Sequence, residues 1–246
     1  MCHLLAAAGR DSRAFTFAFE HAHIHGMNIL LLGPPGAGKG TQGDRLARRL
    51  GVRKLATGDV LRQAVREGTP MGRAAQAVME RGALVPDDVI LGIMREALAT
   101  PELRAGVILD GVVRTVPQAE GLERVLGDLG RRLDAVLVFE ADEDELVRRL
   151  SARTVCERCQ TPYTGAEPGA PCERPGCSGR LVRRKDDEPD AVRERLRAYR
   201  AQTAPVVEWY RRHNGTCVVP VVATGVVEQI TEHIVRDLER CGGART

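Results

Sequence analysis

The sequence predicts an α/β fold: a doubly wound, parallel, five-stranded sheet with helices between its strands. Three observations predict it. Short runs at residues 29–32, 54–56, 106–111, 135–140 and 216–221 read as strands, and most are too uniformly apolar to have a wet face. Segments with Leu, Ile and Val at helical spacing separate them, which is the pattern of a parallel sheet. A glycine-rich loop, Gly33-Pro34-Pro35-Gly36-Ala37-Gly38-Lys39-Gly40-Thr41, lies between the first run and the first helix.

That loop is the element the other segments are arranged around. Strand, glycine-rich loop and helix with this spacing form a phosphate-binding loop. Small residues let successive backbone N–H groups curl around a phosphate, and the helix N-terminus adds partial positive charge. Lys39 reaches the terminal phosphates and Thr41 is placed to meet a magnesium shell. The chain has 36 Lys and Arg residues, yet only Lys39, Lys54 and Lys185 are lysines, so a lysine at the motif position stands out.

Bulk composition bounds the rest. A chain of 246 residues has room for one α/β domain with insertions. Aromatic residues make up 3 % and the formal net charge is +3, so neither base stacking nor a polyanion partner is expected. No apolar run approaches the roughly 20 residues of a membrane span. Residues 1–26 lack clear periodicity and hold four of the six histidines, His21, His23 and His25 among them. We expect a disordered extension there, with Met27 able to serve as a start.

After residue 56, Thr57 or Asp59 is expected to cap a helix that Gly68-Thr69-Pro70 breaks. A second helix covers 71–81. A third comes after Leu84-Val85-Pro86-Asp87-Asp88, capped by Asp, with Val89, Ile93 and Leu98 buried. These three helices read as a compact insertion. The strand at 106–111 ends in Asp110, and Thr115 or Val116 precedes Pro117 in the first turn of the next helix. Residues 142–152 form another helix, with Arg148, Arg149 and Arg153 toward its end. A long helix runs from 190 to about 213, kinked at Pro205. The last strand, in which Cys217 is core, and a helix over 226–238 close the chain.

Between these elements, Cys156-x-x-Cys159 and Cys172-x4-Cys177 bracket a segment rich in Pro and Gly. The two short-spaced pairs read as a tetrahedral four-thiolate zinc site, structural because four protein ligands leave no open position. A disulfide pair or idle thiols are the alternatives. Cys2, Cys217 and Cys241 stand outside this set.

Taken in order, Gly33 to Thr41, Thr57-Gly58-Asp59-Val60-Leu61-Arg62, Gly82-Ala83-Leu84-Val85-Pro86-Asp87, Leu109-Asp110-Gly111, Arg114-Thr115-Val116-Pro117-Gln118-Ala119 and Arg184-Lys185-Asp186-Asp187 resemble adenylate kinase. The resemblance runs from Met27 to the final helix, with residues 57–86 as a monophosphate-binding insertion and 153–187 as a zinc lid. It implies reversible phosphoryl transfer from Mg-ATP to AMP. Lys39, Arg149, Arg153, Arg184 and Arg195 would converge on the transferring phosphates. Arg62 and Arg114 would clamp the AMP phosphate, with Arg184 and Arg195 beside it. Gly36, Ala37, Gly38, Lys39, Gly40 and Thr41, with Arg149 and Arg153, would hold ATP. Thr57, Val85, Gly111 and Gln118 would form the AMP base and ribose pocket, Gln118 both donating to and accepting from adenine. Asp110 would act through magnesium-bound water.

Two departures from the family pattern matter. Asp110-Gly111-Val112-Val113-Arg114 replaces the usual Asp-Gly-Phe-Pro-Arg, which is expected to leave space beside the base and to loosen Arg114. The second cysteine pair has a longer gap than the usual two residues. The expected protein is thus a magnesium-dependent, cytoplasmic, monomeric ATP:AMP phosphotransferase with a structural zinc ion and no nucleic-acid or membrane partner. A kinase of another nucleoside monophosphate, and a nucleotide- and zinc-binding protein without turnover, are the alternatives.

Overall fold

The computed structural model describes residues 26–81, 84–213 and 215–243. The expected N-terminal extension, except for Gly26, and the Gly82-Ala83 pair lie outside the described residues. The chain opens with β1 (Asn28–Leu32), α1 (Lys39–Leu50), β2 (Arg53–Ala56), α2 (Thr57–Arg66), α3 (Pro70–Glu80) and α4 (Asp87–Leu98). Then come β3 (Val107–Asp110), α5 (Val116–Asp128), β4 (Ala135–Glu140) and α6 (Glu143–Ser151). The cysteine segment carries β5 (Arg153–Cys156), β6 (Pro162–Thr164) and β7 (Leu181–Val182). Helices α7 (Pro189–Ala198) and α8 (Ala204–Arg212), strand β8 (Cys217–Val222) and helix α9 (Val227–Gly243) complete it.

Strands β2, β3, β1, β4 and β8 lie side by side in that order, all parallel. Their period of two sends alternate residues to opposite faces. Leu30, Leu32, Val107, Leu109, Val136 and Val138 meet α4, α5 and α8 on one face. Ile29, Leu31, Ile108, Leu137 and Phe139 meet α1, α6, α7 and α9 on the other. Burial on both faces explains the unbroken apolar runs. Strand order reverses around β1, so a crevice opens at the carboxyl ends of β1, β3 and β4. The register pairs Leu31 with Asp110, which sets Asp110 beside the start of the glycine-rich loop.

Several expectations are corrected here. Helix α2 begins at Thr57 itself, preceded by Ala56 with no side-chain cap. The Thr57 hydroxyl instead donates to the Gly111 carbonyl at 2.8 Å. Asp87 does not cap α4 either. Its carboxylate accepts from the Thr115 hydroxyl at 3.1 Å and from Gln118 Nε2 at 2.7 Å. In both cases a partner distant in sequence outcompetes the local backbone. On α4 the buried residues are Ile90, Ile93, Met94 and Leu98, with Val89 only half-buried, because α4 packs on α5 and the sheet.

The long helix expected from 190 is two helices. Residues Tyr199–Thr203 form one wide turn, closed by the Ala204 N–H bonding the Tyr199 carbonyl. Pro205 sits in the first turn of α8, where its missing N–H is not needed. Cys217 is half-buried and disulfide-bonded to Cys241, with Cα atoms 5.9 Å apart. Helix α9 packs on β8 and brings the two cysteines together across 24 residues. Val112 and Val113 are 0 % and 1 % exposed and belong to the sheet-face core, with Val113 also bordering the larger cleft.

Candidate active site

The glycine-rich loop gets its shape from tight contacts. Gly33 has φ +147°, and a Cβ there would lie 2.7 Å from the Phe139 carbonyl oxygen, so only glycine fits between β1 and β4. The chain then turns into α1, whose first residue is Lys39. The Lys39 ammonium folds back over the loop and donates to the Gly33 and Pro34 carbonyls at 2.7 and 2.8 Å. Gly36, Ala37, Gly38, Lys39, Gly40 and Thr41 all line one large cleft. Thr41 is exposed to it.

A second, smaller cleft adjoins the first. Thr57, Val85, Gly111 and Gln118 line it, together with apolar side chains of α2 and α4. The two clefts share Gly58, Arg62, Leu84, Gly111, Arg114 and Arg195. Two ligands lying end to end would meet at that boundary, under three arginines. Asp110, Arg149, Arg153 and Arg184 line the larger cleft.

Electrostatics marks the boundary as built for an anion. Burial pushes the Lys39 ammonium down to about 8; Asp110 opposes this, and Arg114, Arg195 and Arg153 add to it. Burial, and then Arg195, push Arg114 down to about 10. Arg184 is likewise pushed down to about 10 by burial and then by Arg62 and Arg153. Arg195 is lowered, chiefly by burial. Cations crowded this way repel one another, and a polyanion relieves both the repulsion and the desolvation.

Two carboxylates to which residue order alone assigns no role organise the cluster. Asp187, 9 % exposed, takes a two-pronged hydrogen bond from Arg153, with Nε to Oδ2 at 2.7 Å. It also accepts from Arg195 at 3.0 Å. Asp186 meets Arg195 at 3.3 Å. Burial opposes ionisation of Asp186, but Arg195 and Arg184 hold its carboxyl below the usual carboxylate range. Arg62 pairs with Asp59 one turn away. Arg149 stands apart from this group, bonded to Glu145 on its own helix at 2.6 Å. Gln118 is 1 % exposed, and its amide already bonds the Arg114 N–H and Asp87. Its expected double contact with adenine is therefore reduced to the one N–H and one lone pair left over.

The cysteine segment folds as a three-stranded antiparallel sheet, β6-β5-β7. Cys156, Cys159, Cys172 and Cys177 bring their sulfurs within 4.8 Å of one another. Sulfur separations of 3.6 Å, for Cys156–Cys177 and Cys159–Cys172, compare with about 3.8 Å for the edge of a Zn–S tetrahedron. A Cβ at Gly179 would lie 2.4 Å from the Cys156 sulfur, so the sulfur cradle tolerates only glycine there. The donor set and its spacing fit zinc. Arg153 begins β5, and Arg184 lies two residues beyond β7, so this small sheet also carries two cations of the cleft.

Comparison with known proteins agrees with this geometry. The adenylate kinase family model matches residues 31–215. The chain is 62 % identical to the adenylate kinase of Gemmatimonas aurantiaca over 212 residues, covering 86 % of this chain and 99 % of that protein. It is 43 % identical over 215 residues to the adenylate kinase of Kosmotoga olearia, covering 87 % and 99 %. It is 40 % identical over 216 residues to that of Archaeoglobus fulgidus, again covering 87 % and 99 %.

Proposed function

The chain belongs to the adenylate kinase family, and from that premise we propose how its residues divide the work. The reaction is phosphoryl transfer from ATP to AMP, giving ADP. In our reading the larger cleft takes ATP, the smaller one AMP, and the transferred phosphoryl group crosses at their shared boundary. The observation that carries this reading is the group of desolvated cations around that boundary: Arg114 and Arg195, which line both clefts, and Lys39 and Arg184, which line the larger one. Phosphoryl transfer leaves little covalent work for a protein, so placing charge is most of catalysis.

Backbone N–H groups of 36–41 cradle the ATP phosphates, and Lys39 tracks the charge that moves with the transferred group. Arg62 and Arg114 hold the AMP phosphate; Arg184 and Arg195 stand between the two nucleotides. Thr57, Val85, Gly111 and Gln118 bound the AMP base and ribose. The Thr41 hydroxyl and Asp110 carboxylate are oxygen donors of the kind magnesium takes, and the ion, when bound, neutralises charge on the ATP phosphates. Residues 57–86 form the monophosphate-binding insertion and 153–187 the lid, with Cys156, Cys159, Cys172 and Cys177 holding a structural zinc ion. We further propose a cytoplasmic monomer. The lid thiols support a reducing compartment, and the Cys217–Cys241 bond is the feature that pulls the other way.

Arg62→Ala tests the division between the clefts. It removes one charge-assisted clamp on AMP, so the AMP KM should rise roughly 10- to 100-fold with the ATP KM within about twofold. A matched rise in both constants would contradict the assignment.

A pH profile tests Lys39. With its ammonium pushed down to about 8, the free enzyme loses this charge as pH rises through that value. The parameter kcat/KM for ATP reports the free enzyme and should fall above pH 8 with a one-proton slope. Bound phosphates restore the proton, so kcat should hold to higher pH. Folding has the opposite sign. Above pH 8 the unfolded chain binds a proton the native one has lost, so Lys39 makes stability rise with pH up to the usual lysine range. A profile of kcat/KM flat from pH 7 to 9.5 would dismiss the idea.

A further inference from the structure

We infer that Thr203 is a positioning residue for Arg114, completing a main-chain clamp that aims the arginine into the shared boundary. This deepens the proposed function and rests on the reading that Arg114 holds the AMP phosphate. Arg114 lies in an irregular stretch between β3 and α5, where no strand ladder orients its peptides. Two side chains do so instead. The Arg114 N–H donates to Gln118 Oε1 at 2.7 Å. The Thr203 hydroxyl donates to the Arg114 carbonyl at 2.9 Å, across 89 residues. Gln118 is itself held by Asp87 at 2.7 Å. Both clamping residues are buried, Gln118 at 1 % and Thr203 at 5 % exposure, and Thr203 reaches Arg114 at the wall of the larger cleft, which both residues line.

The placement of Thr203 depends on the wide turn between α7 and α8. Tyr199–Thr203 closes with an extra residue per turn. Relative to a regular helix, that extra residue rotates the phase of α8 by roughly 100°. A continuous α-helix from Pro189 would swing the Thr203 hydroxyl away from Arg114. Pro205 suits the break, since it has no N–H to bond four residues back. Wide turns of this kind concentrate at functional sites. Here it follows Arg195 on α7, whose guanidinium bonds Asp187 at 3.0 Å, and ends on Thr203, which clamps Arg114. One helical stretch thus fixes both arginines on either side of the transferred phosphate.

The clamp acts through orientation, so its loss should show in AMP kinetics. Misplacing a catalytic group by 1 Å can cost on the order of 100-fold. Thr203→Val keeps the shape and removes the donor, and leaves the Arg114 carbonyl unpaired. The expected result is a fall of about tenfold in kcat/KM for AMP, with the ATP KM within about twofold. Thr203→Ser keeps the donor and should restore AMP kinetics to within about twofold of the parent. In an Arg114→Ala background, Thr203→Val should change kcat/KM for AMP no further, because its effect passes through Arg114.

Thermal melts on each variant separate this from general damage; if Thr203→Val does not fold, Thr203→Ala takes its place in the same set. Wild-type AMP kinetics in Thr203→Val, failure of Thr203→Ser to restore them, or a full further loss on top of Arg114→Ala would each overturn the clamp. Unchanged AMP kinetics in Arg114→Ala alone would instead overturn the role of Arg114, and the clamp with it.

Discussion

Replacing Lys39 by methionine is expected to lower kcat by about three orders of magnitude while the protein stays folded. Methionine matches the length of lysine but brings no charge and no donor. The ammonium bonds the Gly33 and Pro34 carbonyls, and Asp110 is the anion that most favours its charge. The substitution frees those two carbonyls, but it also removes a charge that burial disfavours, and Gly33 lines the larger cleft. Stability should therefore change little. Catalysis should change greatly, because a preorganised cation in a desolvated site is worth far more than the same charge in water. Steady-state kinetics with both nucleotides and a thermal melt decide the matter. A variant that lost only AMP affinity would show that Lys39 is not on the transferred phosphate.

The second large effect is expected at the lid. Cys156→Ser should release the zinc, lower the melting temperature by about 5–10 °C, and cut activity at least tenfold. The reason is the thinness of the lid core: its buried hydrophobic residues are Val155, Cys156, Cys172 and Leu181. Three short strands with so little apolar area cannot hold themselves, so a metal bound by the four thiolates is expected to supply their folding energy. Activity falls with it because Arg153 opens β5 and Arg184 lies just beyond β7. When that sheet frays, two cations leave the cleft and Asp187 loses its Arg153 partner. Metal analysis should find one zinc per native chain and much less in the variant. Four freely reactive lid thiols in the native protein, with no metal bound, would refute the site.

Much of the site could be read from residue order alone. Gly33 to Thr41 declares itself because a backbone that wraps a phosphate needs glycine at set positions, and Asp110 because it ends an apolar strand. The four lid cysteines were legible for the same reason, since metal geometry dictates short spacings. Arg62, Arg114, Arg184 and Arg195 could be proposed only by resemblance; in isolation each is one arginine among many. Their convergence depends on α2, the β3–α5 connection, the end of the lid and α7 meeting in space. Asp87 and Asp187 stand in motifs of the resemblance with no partner indicated, and Thr203 carries no signal. By local spacing Asp87 reads as a helix cap.

The sequence by itself determined the parallel sheet, the strand, glycine-rich loop and helix at its centre, and the thiolate cluster. Each comes from local rules: burial on both faces, small residues in a turn, ligand spacing. Only the tertiary structure decided what Thr57, Asp87, Gln118 and Thr203 bond to, that Val112 and Val113 fill the core, and that Cys217 meets Cys241. These are long-range pairings. A side chain in a folded protein goes to its best partner in space, and no local spacing encodes a partner 54 or 89 residues away.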